Sequence, residues 1–176
     1  GSLYFTAEVN GEEWLWRGDG SAATTRPIVP LGSRGARADS FEFFDGRLYF
    51  VACAADQRSC ALLSTALDGG LPDHVAEVCD GDYCVGSDGS LWVRGLGSRL
   101  IFTHRDGTAV EVLTSAADGG GASLVATLCA ADACFGSVTP VVLGSAVFFA
   151  TVTDVGGSRE LWTSDATPAG TVRLAG

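Results

Sequence analysis

Six cysteines fall in three close pairs, Cys53 with Cys60, Cys79 with Cys84, and Cys129 with Cys134, and this spacing offers two chemistries. As thiolates they would ligate a soft metal; as oxidised pairs they would staple short loops. Structural zinc favours C-x2-4-C knuckles with further Cys or His ligands, and the chain adds only His74 and His104. The first pair brackets the polar turn Ala54 to Ser59 between two apolar runs. Opposed residues of a hairpin sit at the Cα separation that a disulfide requires. The other two pairs occupy matching places in a repeated phrase, so disulfides are the stronger reading. A ring this small stabilises by roughly 2 kcal/mol. Disulfides imply an oxidising compartment: secreted, periplasmic or cell-surface.

A second recurrent group is an aspartate, Asp19, Asp68, Asp118 and Asp165, followed by Gly in the first three copies. A short carboxylate accepts backbone N–H bonds two residues on, and Gly supplies positive φ, which together make a turn. Calcium ligation is the sharper alternative, but each loop offers few acids for six to eight oxygen ligands. No G-x-S-x-G motif is present, and under the disulfide reading no thiol is left as a nucleophile. Tyr4, Tyr49 and Tyr83 with the arginines are the raw material of a sialidase-like site. Tyr4 and Tyr49, however, lie in strands that read as buried, and His104 stands where other copies have Ala7 or Ala52. The expectation is a site without catalytic residues, metal or cofactor.

The elements that must hold these groups come from a phrase written four times. Leu3-Tyr4-Phe5 returns as Leu48-Tyr49-Phe50, Leu100-Ile101-Phe102 and Val147-Phe148-Phe149, with the aligned Phe at intervals of 45, 52 and 47 residues. A repeat of about 40–50 residues built from short apolar runs is the length of one four-stranded propeller blade. The second copy divides into Phe41 to Phe44, Leu48 to Ala52, Ala61 to Thr65 and His74 to Val78; the last into Thr139 to Leu143, Ala146 to Val152, Glu160 to Thr163 and Thr171 to Leu174. Gly, Asp, Ser and Pro clusters separate the runs. The second run is apolar on both faces in every copy, as in a strand sandwiched between neighbours. The third carries a large residue at one aligned site, Trp16, Leu63, Leu113 and Trp162. Replacement of Trp by Leu favours core packing there over a sugar-stacking platform.

The predicted fold is therefore all-β, a β-propeller of about four four-stranded blades, with repeats near 1–39, 40–82, 83–132 and 133–176. The first blade lacks one strand, so fifteen strands are expected, and the chain reads as a segment of a larger or multi-chain propeller. The 176 residues are 47% apolar, which suits one packed domain. The longest apolar run, Val141 to Val152, is interrupted by Gly144 and Ser145 and falls short of the ~20 residues a membrane helix needs. Net charge is −10 and every base is Arg. An acidic surface repels phosphate backbones, so nucleic acid is not an expected partner.

The final copy reads Glu160-Leu161-Trp162-Thr163-Ser164-Asp165-Ala166-Thr167-Pro168-Ala169-Gly170-Thr171. It resembles the ELWxxDGT repeat of large bacterial secreted and surface proteins, departing only at Ala166, where that family has Gly. The first copy keeps Leu15-Trp16-Arg17-Gly18-Asp19-Gly20-Ser21; the middle two keep only the apolar strands and the Asp. The resemblance implies propeller repeats and carries no activity with it. The expected function is a non-enzymatic extracellular binding or structural module presenting loops to protein or glycan. The alternatives are a sialidase-like glycoside hydrolase or lyase fragment, and a subunit of a surface filament self-associating through open blade edges.

Overall fold

The structure is a computed structural model that describes residues 1–33, 37–56, 58–81, 84, 91–106, 109–118, 120–129, 136–137, 140–152 and 158–176. Among these, every regular element is a β-strand. β1 (Leu3–Val9), β2 (Glu12–Gly18) and β3 (Arg26–Ser33) form an antiparallel sheet in chain order. β4 (Arg37–Phe44), β5 (Arg47–Cys53), β6 (Ser59–Ala66) and β7 (Asp73–Asp80) make a second meander. β8 (Val93–Leu96), β9 (Arg99–Asp106), β10 (Ala109–Ala116) and β11 (Ser123–Cys129) make a third. In the last unit β12 (Gly136–Ser137) and β13 (Val141–Leu143) both pair with β14 (Ala146–Val152), which leads through β15 (Arg159–Ser164) to β16 (Val172–Ala175).

The strands lie where the apolar runs placed them, with one addition. Of the strand expected over Thr139 to Leu143, Val141–Leu143 forms β13, and β12 is an additional short strand upstream of that span. Pro140, which has no N–H to give a ladder, stands between them. Thr139 itself lies outside the described residues.

The four units share one register. Phe5 faces Trp16, Phe50 faces Leu63, Phe102 faces Leu113, and Phe149 faces Trp162. On the other side of that third strand, the ladder to the outer strand slips just before the same residue, at Leu15/Trp16, Leu62/Leu63, Val112/Leu113 and Leu161/Trp162. A bulge at a fixed place bends the outer strand and increases local twist. Tight hairpins are set by left-handed pairs, Asn10 (φ 54°) with Gly11 (86°) and Asp45 (48°) with Gly46 (73°). Their twist matches that of the flanking strands.

The second and third units belong to one eight-stranded sheet, the first and last units form sheets of three and five strands, and neighbouring units enclose three apolar clusters. Leu15 and Val29 meet Leu48 and Phe50; Tyr49 and Leu62 meet Leu100 and Phe102; Ile101 and Val112 meet Val147 and Phe149. Each fully buried side chain of this size contributes about 2–3 kcal/mol. The middle strands β5 and β9 are buried on both faces, as their sequences require. β1 and β14 are less buried than β5 and β9, and β14 alternates buried and half-buried residues along its length.

The second and third units are also joined by direct backbone pairing. β7 and β9 run parallel over two residue pairs, Cys79 with Arg105 and Asp80 with Asp106. Elsewhere side chains stand in for a backbone ladder. Ser40 Oγ accepts Val93 N–H at 2.9 Å and Glu42 Oε1 accepts Gly95 N–H at 3.1 Å. This satisfies donors on β8 that face β4. Cys53 is bonded to Cys60 and Cys79 to Cys84. Because Cys53, Cys60 and Cys79 are register partners across β5, β6 and β7, both bonds sit at one end of that sheet. Cys134 of the third expected pair lies outside the described residues.

Candidate binding groove at the aspartate-turn end

The end of the sheets opposite the disulfides carries the recurrent aspartates. In the first unit Asp19 Oδ1 accepts Ser21 N–H at 2.9 Å and the Thr24 hydroxyl at 2.5 Å. In the last, Asp165 Oδ1 accepts Thr167 N–H at 2.9 Å and the Thr167 hydroxyl at 2.6 Å. Asp118 Oδ1 accepts Gly120 N–H at 2.8 Å. These bonds stabilise the charged form, so Asp19 is lowered to about 2, chiefly by the Thr24 hydroxyl. Asp165 is lowered as well, chiefly by the Thr167 hydroxyl. Three of the four aspartates are thus engaged in their own turns. At the fourth, Asp68, the turn is closed by Gly69 N–H to Ala66 O at 3.0 Å.

Arginines at the strand starts form the second layer of this end. Arg47, first in β5, donates from Nε and Nη2 to Ser64 Oγ at 3.2 and 3.0 Å, and its Nη2 also meets the Asp73 carboxylate. Arg99, first in β9, donates from Nε to Thr114 Oγ1 at 3.0 Å. In the first unit the two partners have changed places: Arg17 stands on the third-strand position and donates to Ser2 Oγ at 3.2 Å. The pair is kept while its members are exchanged.

Tyrosines connect one unit to the next. Tyr4 donates its hydroxyl to Leu67 O at 3.0 Å, and Tyr49 donates to Ala117 O at 2.7 Å. In both cases the acceptor is the carbonyl just before the turn aspartate of the following unit. Burial raises the Tyr49 phenol, which keeps it a donor. Burial of the strands alone does not predict these bonds. The signal was present in their identical place in the repeated phrase.

Between the second and third units these groups border a groove of about 440 Å³ lined by Asp45, Arg47, Tyr49, Asp73 and Asp118. One guanidinium among three carboxylates makes it a net acidic, hydrogen-bonding surface. A second depression, of about 580 Å³, lies against Arg17, Asp19, Thr24 and Arg26.

The other singled-out residues do not gather here. Trp16 stacks on Phe5 with ring centroids 6.2 Å apart, and Trp162 packs on the third cluster, so both serve packing. His74 pairs with Glu77 at 2.9 Å on the surface, and His104 pairs with its cross-strand neighbour Glu111 at 3.1 Å. Among the described residues no three His, Cys, Asp or Glu side chains gather as a metal would need.

No family model matches the chain, and no curated protein does. Solved structures match over nearly its whole length. The nidogen/laminin complex matches with TM-score 0.62 at 13% identity, covering 99% of this chain and 61% of that one. TolB from Acinetobacter baumannii matches with TM-score 0.63 at 12% identity, covering 99% and 40%. These are β-propeller proteins. The fold is of the β-propeller type. An oligogalacturonate lyase in complex with manganese is similar too, with TM-score 0.62, 13% identity and coverage of 97% and 50%. The chain therefore spans between 40% and 61% of the length of these propellers. The two disulfides fit an oxidising compartment. Among the described residues no helix is long and apolar enough to cross a membrane.

Proposed function

We propose that this chain is a four-bladed segment of a larger extracellular propeller, of the ELWxxDGT-repeat kind, whose aspartate-turn end binds a protein or glycan. The observation that carries the reading is the groove between the second and third units. There Arg47, held by Ser64 and Asp73, shares the lining with Asp45, Tyr49 and Asp118. A rigid sheet end lined by fixed donors and acceptors is suited to hydroxyl-rich or cationic surfaces. The repeated register of Phe and Trp or Leu across all four hairpins supports the four-blade count. The shared bonds of Asp19 and Asp165 turns support the resemblance to that repeat.

Glycan arrays and protein pull-downs with the 176-residue chain test the assignment. Binding is expected for the parent chain and is expected to fall at least about tenfold in Arg47→Ala, about 1.4 kcal/mol. Blank screens together with cleavage of fluorogenic glycosides would reverse it in favour of a hydrolase or lyase.

A further inference from the structure

The cysteines of the second unit stand in a row that the third unit does not repeat. Cys53 on β5 is the register partner of Cys60 on β6, and Cys60 is in turn the register partner of Cys79 on β7. Register partners on antiparallel strands project to the same face with Cα atoms about 4.5–5.5 Å apart. A disulfide bridges that span. Cys60 is therefore placed to bond either neighbour, although its bond is to Cys53. In the third unit the corresponding row reads Arg105, Val110 and Cys129, with a cysteine at its last place alone.

The fourth cysteine is drawn to the same spot. Gly81 N–H donates to Arg58 O at 2.7 Å, which folds the chain leaving β7 back over the turn between β5 and β6. Cys84 Sγ lies 3.1 Å from that same carbonyl oxygen. Its bond to Cys79 thus runs beside the turn that the Cys53–Cys60 bond closes. All four cysteines belong to one apolar cluster, in which Cys60 and Cys79 are each 1% exposed, Cys84 2% and Cys53 8%. The two central cysteines, neighbours on the ladder, are the most shielded from outside thiols, and Cys53 is the most open to them.

We propose that the two disulfides form a coupled exchange pair, in which reduction entering at Cys53 moves the remaining bond to Cys60–Cys79 and delivers a free thiol at Cys84. Exchange proceeds by attack of a thiolate on a disulfide sulfur. An external dithiol attacks Cys53 Sγ, the Cys53–Cys60 bond breaks, and Cys60 Sγ leaves as a thiolate. Cys60 Sγ then attacks Cys79 Sγ. The Cys60–Cys79 bond forms, the Cys79–Cys84 bond breaks, and its electron pair leaves on Cys84 Sγ, which takes a proton from solvent. The second thiol of the reductant resolves the mixed disulfide on Cys53, so one dithiol is oxidised and one disulfide of the chain is lost. The surviving bond ties β6 to β7 and releases the segment that Cys84 had held. This device sits at the end of the sheet remote from the groove and does not rest on the binding assignment, so a blank ligand screen leaves it intact.

Treating the native chain with graded dithiothreitol, quenching with acid and alkylating with N-ethylmaleimide reads the transfer directly. Cleavage before aspartates separates the four cysteines, because Asp56, Asp73 and Asp80 lie between successive members. Mass mapping is expected to find Cys60 linked to Cys79, with label on Cys53 and Cys84, as the main form that keeps one bond among the four. Label on Cys53 and Cys60 with Cys79–Cys84 intact, or the reverse, overturns the proposal. So does resistance of both bonds to dithiothreitol below the melting temperature. Two variants approach from opposite sides. Cys53→Ala leaves Cys60 as the attacking thiol, and Cys84→Ala leaves Cys79. Both are expected to settle on the Cys60–Cys79 bond, with label on Cys84 in the first and on Cys53 in the second. Retention of the remaining native bond in either folded variant overturns the proposal, and if a variant fails to fold the native chain decides.

Discussion

At the scale of single residues, the turn that follows each third strand explains why its sequence is so restricted. Thr25 Oγ1 donates to Ser21 O and Thr171 Oγ1 donates to Thr167 O, each at 2.7 Å and each four residues back. The residue after the aspartate is left-handed wherever it is described: Gly20 at φ 99°, Gly69 at 101° and Ala166 at 67°. Ala166 accepts that conformation because its methyl is buried against the third cluster and its N–H is held by Ser164 Oγ at 3.1 Å. Its departure from Gly is thus tolerated by packing, at a backbone cost of about 1 kcal/mol. The lowered Asp19 gives a pH prediction. Its folded value lies below the ordinary carboxylate value of the unfolded chain, so its stabilisation is full above about pH 4 and is lost as pH falls through about 2. Thermal melts between pH 5 and pH 2 should show a steeper fall for the parent chain than for Asp19→Asn.

At the scale of elements, the unit is a hairpin whose contacts are repeated more faithfully than its residues. Tyr49→Phe removes the donor to Ala117 O in a partly buried place and is expected to cost about 1–2 kcal/mol in urea unfolding. Tyr4→Phe, at an exposed bond, should cost less. If the two variants were equally silent, the tyrosine ties would not join the units. The strand positions and the inward or half-inward place of Trp16, Leu63, Leu113 and Trp162 were legible in the sequence, because period-two apolar runs and turn residues depend only on local pattern. The tyrosine ties, the bulge before the third-strand residue and the Arg–Ser exchange were not. Each depends on which atoms meet across strands distant in the chain, and no single run of residues records that. The groove was hidden for the same reason: Arg47, Asp73 and Asp118 lie on three different segments.

At the scale of the whole molecule, the first strands of the second and third units come into close contact. Gly95 on β8 lies against the Phe44 ring of β4, and a Cβ there would stand 2.2 Å from Phe44 Cδ2. Gly95→Ala is therefore expected to cost about 1–3 kcal/mol by overpacking, measured as a lowered urea midpoint at unchanged slope. A neutral result would mean that the ring swings aside freely. The same contact has a geometric consequence. In the proposed propeller, the thickness of this edge sets the angle between neighbouring units, and that angle fixes how many units complete a circle. Glycine here keeps that edge thin and the angle wide. A bulkier residue there would flatten the arc, so that more units would be needed to come full circle. The smallest side chain in the stack thus helps to set its curvature, and with it the arc left for any further units to fill.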